Sequence, residues 1–188
     1  MQDRPLINIL IRTSNRASGF RRLLDSIVSQ DYEPIRIIIS YDNDKALRYI
    51  PKGLEVIKVE KQPDLPYWYD KYLVELMSLV TEGYILTADD DDFINPNVLS
   101  KLPLEGPGLI VQLQRGNNIV PKGLNFANGQ IGFPCVILHH SLKNIATISG
   151  HSQGDSFWIR EILSKIELPF IPIIVTHSPS RGLGMCNG

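Results

Sequence analysis

Apolar positions along this chain alternate between short continuous runs and stretches with helical spacing. Residues 6–11 (LINILI) form such a run, closed by Arg12-Thr13-Ser14-Asn15-Arg16, the pattern of a strand buried on both faces that gives way to a loop. A helix is predicted next: Ser18 supplies an N-cap, Phe20, Leu23, Leu24, Ile27 and Val28 recur at helical spacing, and Gln30 and Asp31 close it. Residues 35–39 (IRIII) read as a strand ending at Ser40-Tyr41-Asp42-Asn43-Asp44, and residues 56–59 as a third. Beyond a loop punctuated by Pro63 and Pro66, residues 69–80 place Leu73, Leu76, Met77 and Val80 on one helical face, and Gly83 stops the helix. Residues 84–88 make the next strand, and Pro96 opens a short helix through Leu102.

The second half changes character. Residues 109–113 read as a strand, residues 119–126 as a hairpin turning at Pro121-Lys122-Gly123, and residues 133–138 as another strand. Residues 155–166 return to helix, residues 171–175 form a last strand, and a polar, glycine-containing tail follows from His177. Strands alternating with helices predict an α/β fold: a mostly parallel central sheet flanked by helices, with a small antiparallel region in the second half.

A length of 188 residues suits one domain with a sizeable core, and 43% hydrophobic residues, 21% charged residues and a net charge of -1 are ordinary for a globular protein. Lys and Arg are scattered, which argues against a nucleic-acid partner. The start lacks the order of a signal peptide and no apolar run reaches the roughly 18 residues of a membrane span, so a cytoplasmic location is expected. Cys135 and Cys186 suggest neither a disulfide framework nor a zinc site, and Cys135 reads as a buried small hydrophobe. The glycine-rich end is abrupt, as in one domain of a longer polypeptide.

Candidate chemistry concentrates at Asp89-Asp90-Asp91-Asp92, directly after a strand. Ligands of open α/β sheets sit outside the carboxyl ends of the strands. Two carboxylates about 4 Å apart repel by roughly 1 kcal/mol even in water and by roughly 4 kcal/mol at an effective dielectric near 20, so the cluster reads as a cation site or, equally, as a solvated acidic turn. The loop after the first strand lacks both Gly-x-Gly-x-x-Gly and a Walker lysine, which weakens dinucleotide, P-loop and nucleotidyltransferase readings. It offers Thr13, Ser14, Asn15 and Arg16 to a polar ligand or to helix capping. Asp42 and Asp44 fall beside it if the first two strands pair, as ligand acceptors or as turn formers.

Three segments are similar to family 2 glycosyltransferases of the GT-A fold. INILIRTSNR, LDSIVSQDY and SYDND resemble the family's start, GYILTADDDDFINPNVL resembles its Asp-x-Asp region with a proline four residues on, and Gly154-Asp155-Ser156-Phe157-Trp158 resembles the position of its catalytic aspartate. The resemblance runs over about residues 6–177 and implies a single Rossmann-like domain across 1–188. Residues 1–102 would form the nucleotide-sugar half and residues 103–188 the acceptor half.

The resemblance also implies roles. Asp91 would be the direct ligand of a magnesium or manganese ion, with Asp89 as metal or sugar ligand, Asp90 in the same element and Asp92 behind it. Asp42 would recognise the base, Arg12, Thr13, Asn15 and Arg16 would line the nucleotide, and Asp44, Asp70 and Lys71 would assist, the last two otherwise forming a solvated helix face. Asp155 would be the general base of an inverting transfer from a nucleotide-diphosphate sugar, UDP-linked, to a glycan or other hydroxyl acceptor. Read alone it is a helix cap. Relatives carry an acid before it where this chain has Gly154. His177 would complete the metal site, Trp158 would face the acceptor, with Tyr67, Trp68 and Tyr69 as further stacking candidates, and Arg181 would close over the diphosphate. The rival classes are a non-catalytic nucleotide-sugar or carbohydrate-binding domain and a calcium-stabilised structural module.

Overall fold

A computed structural model describes residues 4–61, 70–150 and 152–179. Arg181, Cys186, Tyr67, Trp68 and Tyr69 lie outside the described residues. Strand β1 (Ile7–Thr13) is central, paired in parallel with β2 (Ile35–Tyr41) on one side and β4 (Tyr84–Asp89) on the other. With β3 (Glu55–Lys58), β5 (Phe93–Ile94), β6 (Gly108–Arg115), β7 (Asn118–Val120), β8 (Val136–His139) and β9 (Phe170–Ser178), the sheet order is β3-β2-β1-β4-β8-β6-β9-β5, and β7 hangs on β6. β1, β2, β3, β4, β6 and β9 run one way, while β5, β7 and β8 run against them. The sheet is therefore mostly parallel, as its β-branched, two-face-buried strands require.

Alternation along β1 divides the core. Ile7, Ile9 and Ile11 pack with Phe20, Leu23 and Ile27 of α1 (Ala17–Val28), whereas Leu10 packs with Leu73, Leu76 and Met77 of α2 (Asp70–Ser78) and Ile159 and Ile162 of α3 (Gly154–Lys165). Burying each such side chain contributes about 1.5–3 kcal/mol relative to leaving it in water. Asn8, on the Leu10 face, is held inside by donating to the carbonyls of Glu82 and Tyr84 at 2.8 and 3.1 Å. No helix among the described residues is long and apolar enough to cross a membrane.

Several expected boundaries move. The N-cap of α1 is Arg16, without a side-chain bond, and Ser18 sits inside the first turn. Gly19 explains the docking of that turn, because a β-carbon there would stand 2.6 Å from the Asp90 carbonyl oxygen. The helix expected over 96–102 shrinks to a 3-10 turn at Leu99–Lys101. Asn97 takes a positive φ of 52°, and Asn95 is tied to β9 by its N–H to Val175 and its side chain to Ile174. The same tether makes the two-residue β5, which the sequence pattern misses.

The hairpin forms one element earlier than expected, between β6 and β7 with Arg115 opposite Asn118, and residues 121–126 are not strand. Pro121 has no N–H to extend the ladder. Pro134 likewise sits in a 3-10 turn (Phe133–Cys135), so β8 starts only at Val136, and Cys135 is buried.

Candidate active site

Parallel pairing brings the carboxyl ends of β1, β2 and β4 together, with Arg12 opposite Asp89 and Thr13 opposite Tyr41. The strand sequence departs to one side of β1 through β2 and to the other through β4, which makes this the switch point where α/β sheets open a crevice. The four aspartates leave β4 in a tight turn closed by the Asp92 N–H to the Asp89 carbonyl at 2.9 Å. They alternate: the side chains of Asp89 and Asp91 are 41% and 21% exposed, while Asp90 and Asp92 are buried.

The inward pair holds the turn. Asp90 accepts from Thr13 and Arg16, both at 2.8 Å, and burial pushes its carboxyl up to about 6. It is thus occupied by the protein rather than offered to a donor. Asp92 accepts from the Asp89 N–H at 3.0 Å, with the Ser178 hydroxyl beside it, and burial raises its carboxyl further. Its Oδ1 is buried without a hydrogen-bond partner, and no helix follows for it to cap.

The outward pair meets arginines. Arg12 donates to Asp89 through Nε at 2.8 Å and through Nη2, and its Nη1 lies 3.9 Å from Asp70. Arg16 reaches Asp91 at 3.1 Å, and Arg22 donates to the Asp91 carbonyl. Asp70, at the start of α2, is buried rather than on a solvated face, and burial pushes it up to about 7 against the opposing pull of Arg12.

Asp155 lies in the first turn of α3, whose N-cap is Gln153, so the cap role is not its own. Its Oδ1 accepts from the Ser156 N–H at 2.7 Å. Burial raises its proton affinity and outweighs that bond and the charges of Arg115 and Arg12, the reverse of the lowering expected from a helix N-terminus. The acid expected before Asp155 is absent at Gly154, and Asp70 stands in that space: a β-carbon on Gly154 would stand 3.0 Å from Asp70 Oδ2.

The Asp42 side chain is 1% exposed, with Lys61 at 3.5 Å from Oδ2 and Oδ1 buried without a hydrogen bond. Asp44 is turned out to Lys58 at 2.8 Å, and Asn15 is exposed. Lys71 is half-buried on α2. Trp158 is 2% exposed against Phe133 with ring centroids 5.4 Å apart, which corrects the expectation of a face open to the acceptor. His177 lies within β9, not past it. Its ring stacks on Phe93, the residue that follows the acidic turn, at 4.6 Å, and its Nε2 donates to Asn95 at 2.5 Å. Among the described residues no three His, Cys, Asp or Glu are grouped as a metal site.

Residues 8–105, just over half of the chain, match the profile of glycosyl transferase family 2. The chain belongs to glycosyl transferase family 2. Its fold is that of GT-A enzymes of known structure. S. aureus TarS 1–349 in complex with UDP matches with a TM-score of 0.72 at 17% identity, over 92% of this chain and 60% of that one. The same protein with UDP-GlcNAc gives 0.71 at 16%, over 94% and 59%. The mannosyltransferase PcManGT from Pyrobaculum calidifontis, in complex with GDP-Man and Mn2+, gives 0.64 at 14%, over 96% and 59%. The family 2 domain thus spans about 60% of the length of these structures, and 36% of a longer S. aureus TarS structure. No curated protein matches it.

Sequence reasoning missed Arg115 and Ser178. They stand opposite each other in the parallel β6–β9 pairing, and no motif marks either. The polar ends of two strands were the only available signal.

Proposed function

We propose that this family 2 domain is a metal-dependent, inverting glycosyltransferase that moves a sugar from a nucleotide-diphosphate sugar, UDP-linked, to a hydroxyl acceptor on a glycan. Residues 1–102 bind the donor and residues 103–188 the acceptor. The observation that carries the reading is the convergence of Asp70, Asp89 and Asp155 around Arg12, with Asp91 on the neighbouring Arg16, at the carboxyl end of the parallel strands. It is supported by the fold likeness to structures that hold UDP, UDP-GlcNAc and GDP-Man.

The donor set fits a hard divalent cation: oxygen only, with carboxylates in excess of the guanidiniums that face them and a buried Asp92 oxygen unsatisfied. Asp89 and Asp91, the outward pair, would hold Mn2+ or Mg2+, whereas His177 would first have to leave Asn95 and Phe93. When bound, the ion supplies positive charge for the diphosphate leaving group.

The chain's own residues do the rest. Asp42, with its buried free oxygen, accepts from the base N–H, and Thr13 and Arg16 hold the acidic turn beneath the diphosphate. Asp155 takes the proton of the acceptor hydroxyl as that oxygen bonds the anomeric carbon. The bond from that carbon to the diphosphate oxygen breaks, and the electron pair leaves with the nucleotide. A carboxylate of raised proton affinity is the better base near neutral pH.

The test is Asp155→Asn with UDP-sugar donors, reading UDP affinity and transfer separately. Expected are retained UDP binding, transfer lowered by at least ~100-fold, and loss of wild-type activity in chelator. UDP binding without turnover in the wild type would identify a binding domain instead.

A further inference from the structure

A second opening adjoins this site and shares only Arg115 with the residues described so far. The β6–β7 hairpin walls an open cavity of about 590 Å³, lined among others by Arg115, Asn117, Asn118, Ile119, Lys122 and Gln130. The size is that of a small-molecule pocket, typically about 300–1,000 Å³. Its charge is one-sided. Two cations line it and no carboxylate does among the described residues, although the chain as a whole carries a net charge of -1.

Neither cation is spent on the fold. The side chains of Arg115 and Lys122 make no hydrogen bond or ion pair within the described residues, although the charge of Arg115 acts on Asp155, in contrast to Arg12, Arg16 and Arg36, which hold carboxylates. Around them are amide donors. Gln130 uses its carbonyl oxygen to accept the Ala127 N–H at 3.1 Å, which leaves its NH2 group as the free end. A guanidinium, an ammonium and amide N–H groups, with no carboxylate in the cavity wall itself, form a surface complementary to an oxyanion.

Arg115 also links the cavity to the reaction. A β-carbon on Gly132 would stand 3.4 Å from Arg115 Nη2 and 3.5 Å from Asp155 Oδ2, so the guanidinium and the proposed base flank the same glycine. An acceptor whose anion rests on Arg115 therefore extends its neighbouring hydroxyl toward Asp155. The donor side differs, since its open carboxylates Asp89 and Asp91 would repel the same anion in the absence of a cation.

We infer that the cavity between Arg115 and Lys122 is the acceptor subsite, and that the acceptor is a polyol or sugar bearing an oxyanion, phosphate or carboxylate, near the hydroxyl that is glycosylated. The inference rests on the transferase reading for the word acceptor. The charge selectivity of the cavity stands or falls by itself.

The experiment titrates the whole chain, loaded with UDP and Mn2+, with four probes: sn-glycerol 3-phosphate and glucuronate as anions, glycerol and glucose as their neutral counterparts. At least one anion should bind about tenfold or more tightly than its counterpart, and comparing the two anions separates a phosphate from a carboxylate acceptor. Lys122→Gln and Arg115→Gln should each reduce that preference by about threefold or more. Lys122 is exposed, so its variant folds even if the Arg115 variant does not. Equal binding of anion and neutral probe, or a preference unchanged in both variants, overturns the inference. UDP affinity, read in the same cell, reports on the donor reading: anion preference in a chain that ignores UDP would overturn the transferase function and leave the charge selectivity intact.

Discussion

The Asp70 carboxylate occupies the space that a side chain on Gly154 would need: a β-carbon there would fall 3.0 Å from Asp70 Oδ2 and 2.5 Å from the Ser149 carbonyl oxygen. The acid missing beside Asp155 in sequence is thus supplied from α2 in space. A carbonyl oxygen of the main chain cannot swing away as a side-chain end can. The glycine is required by close approach.

Gly154→Ala should destabilise the domain by about 1–3 kcal/mol, the usual range for inserting atoms into a filled site. The measurement is the urea midpoint at unchanged slope. Gly154→Glu, which puts an acid directly before Asp155 in sequence, should be worse still. An alanine variant as stable as the wild type would mean that the turn carrying Ser149 yields freely.

The burial of Asp70 gives stability a pH dependence with a definite sign. Its carboxyl titrates near 7 in the folded chain and near about 3.9 unfolded. Between those values the native state keeps a proton that the unfolded chain has released, so stability falls as pH rises through the window and levels off above it. In chelator, Asp70→Asn should flatten part of that slope and raise the melting temperature at pH 8 more than at pH 5. Parallel pH profiles for the two proteins would place the titration elsewhere.

What the sequence made legible follows from range. The continuous apolar runs of β1, β2 and β4 and the helical faces of α1 and α2 are local patterns, and they emerge within a few residues of their expected bounds. The acidic turn at the end of β4 was readable because a strand must end where four charges begin. Period 2 in the same turn, with Asp90 and Asp92 inward, was not readable, because it depends on Thr13 and Arg16, more than seventy residues away. The burial of Trp158 and the partners of Asp44 and His177 were not readable for the same reason. Phe133, Lys58 and Asn95 decide where those side chains go, and none is a sequence neighbour.

Manganese should stabilise the native chain in proportion to its binding. At a concentration 100 times its dissociation constant a ligand specific for the folded state adds about 2.7 kcal/mol. The melting temperature should therefore rise with Mn2+ at pH 8, rise further with UDP, and respond to neither Mn2+ nor Mg2+ in Asp91→Ala. A wild-type melting temperature indifferent to both ions would mean that Arg12 and Arg16 already satisfy the acidic turn.

Arg12 has a short contact to Asp89 and a longer one to Asp70, and burial decides which matters more. A unit-charge pair about 4 Å apart is worth roughly 4 kcal/mol at an effective dielectric of 20 but only roughly 1 kcal/mol in water. The Asp70 side chain is 8% exposed at 3.9 Å from Nη1, while that of Asp89 is 41% exposed at 2.8 Å from Nε. Solvent screening should reduce the shorter pair to the weaker one. At pH 8, where Asp70 is ionised, double-mutant cycles of Arg12→Gln with Asp70→Asn and with Asp89→Asn are therefore expected to give the larger coupling for Asp70, within the roughly 0.5–3 kcal/mol seen for residues in one network. Arg12→Gln alone should be the most damaging single change, because it leaves a buried carboxylate facing Asp155 with its nearest guanidinium gone. If Asp89 shows the larger coupling, the crevice is wetter than its burial implies, and Asp70 titrates lower than 7.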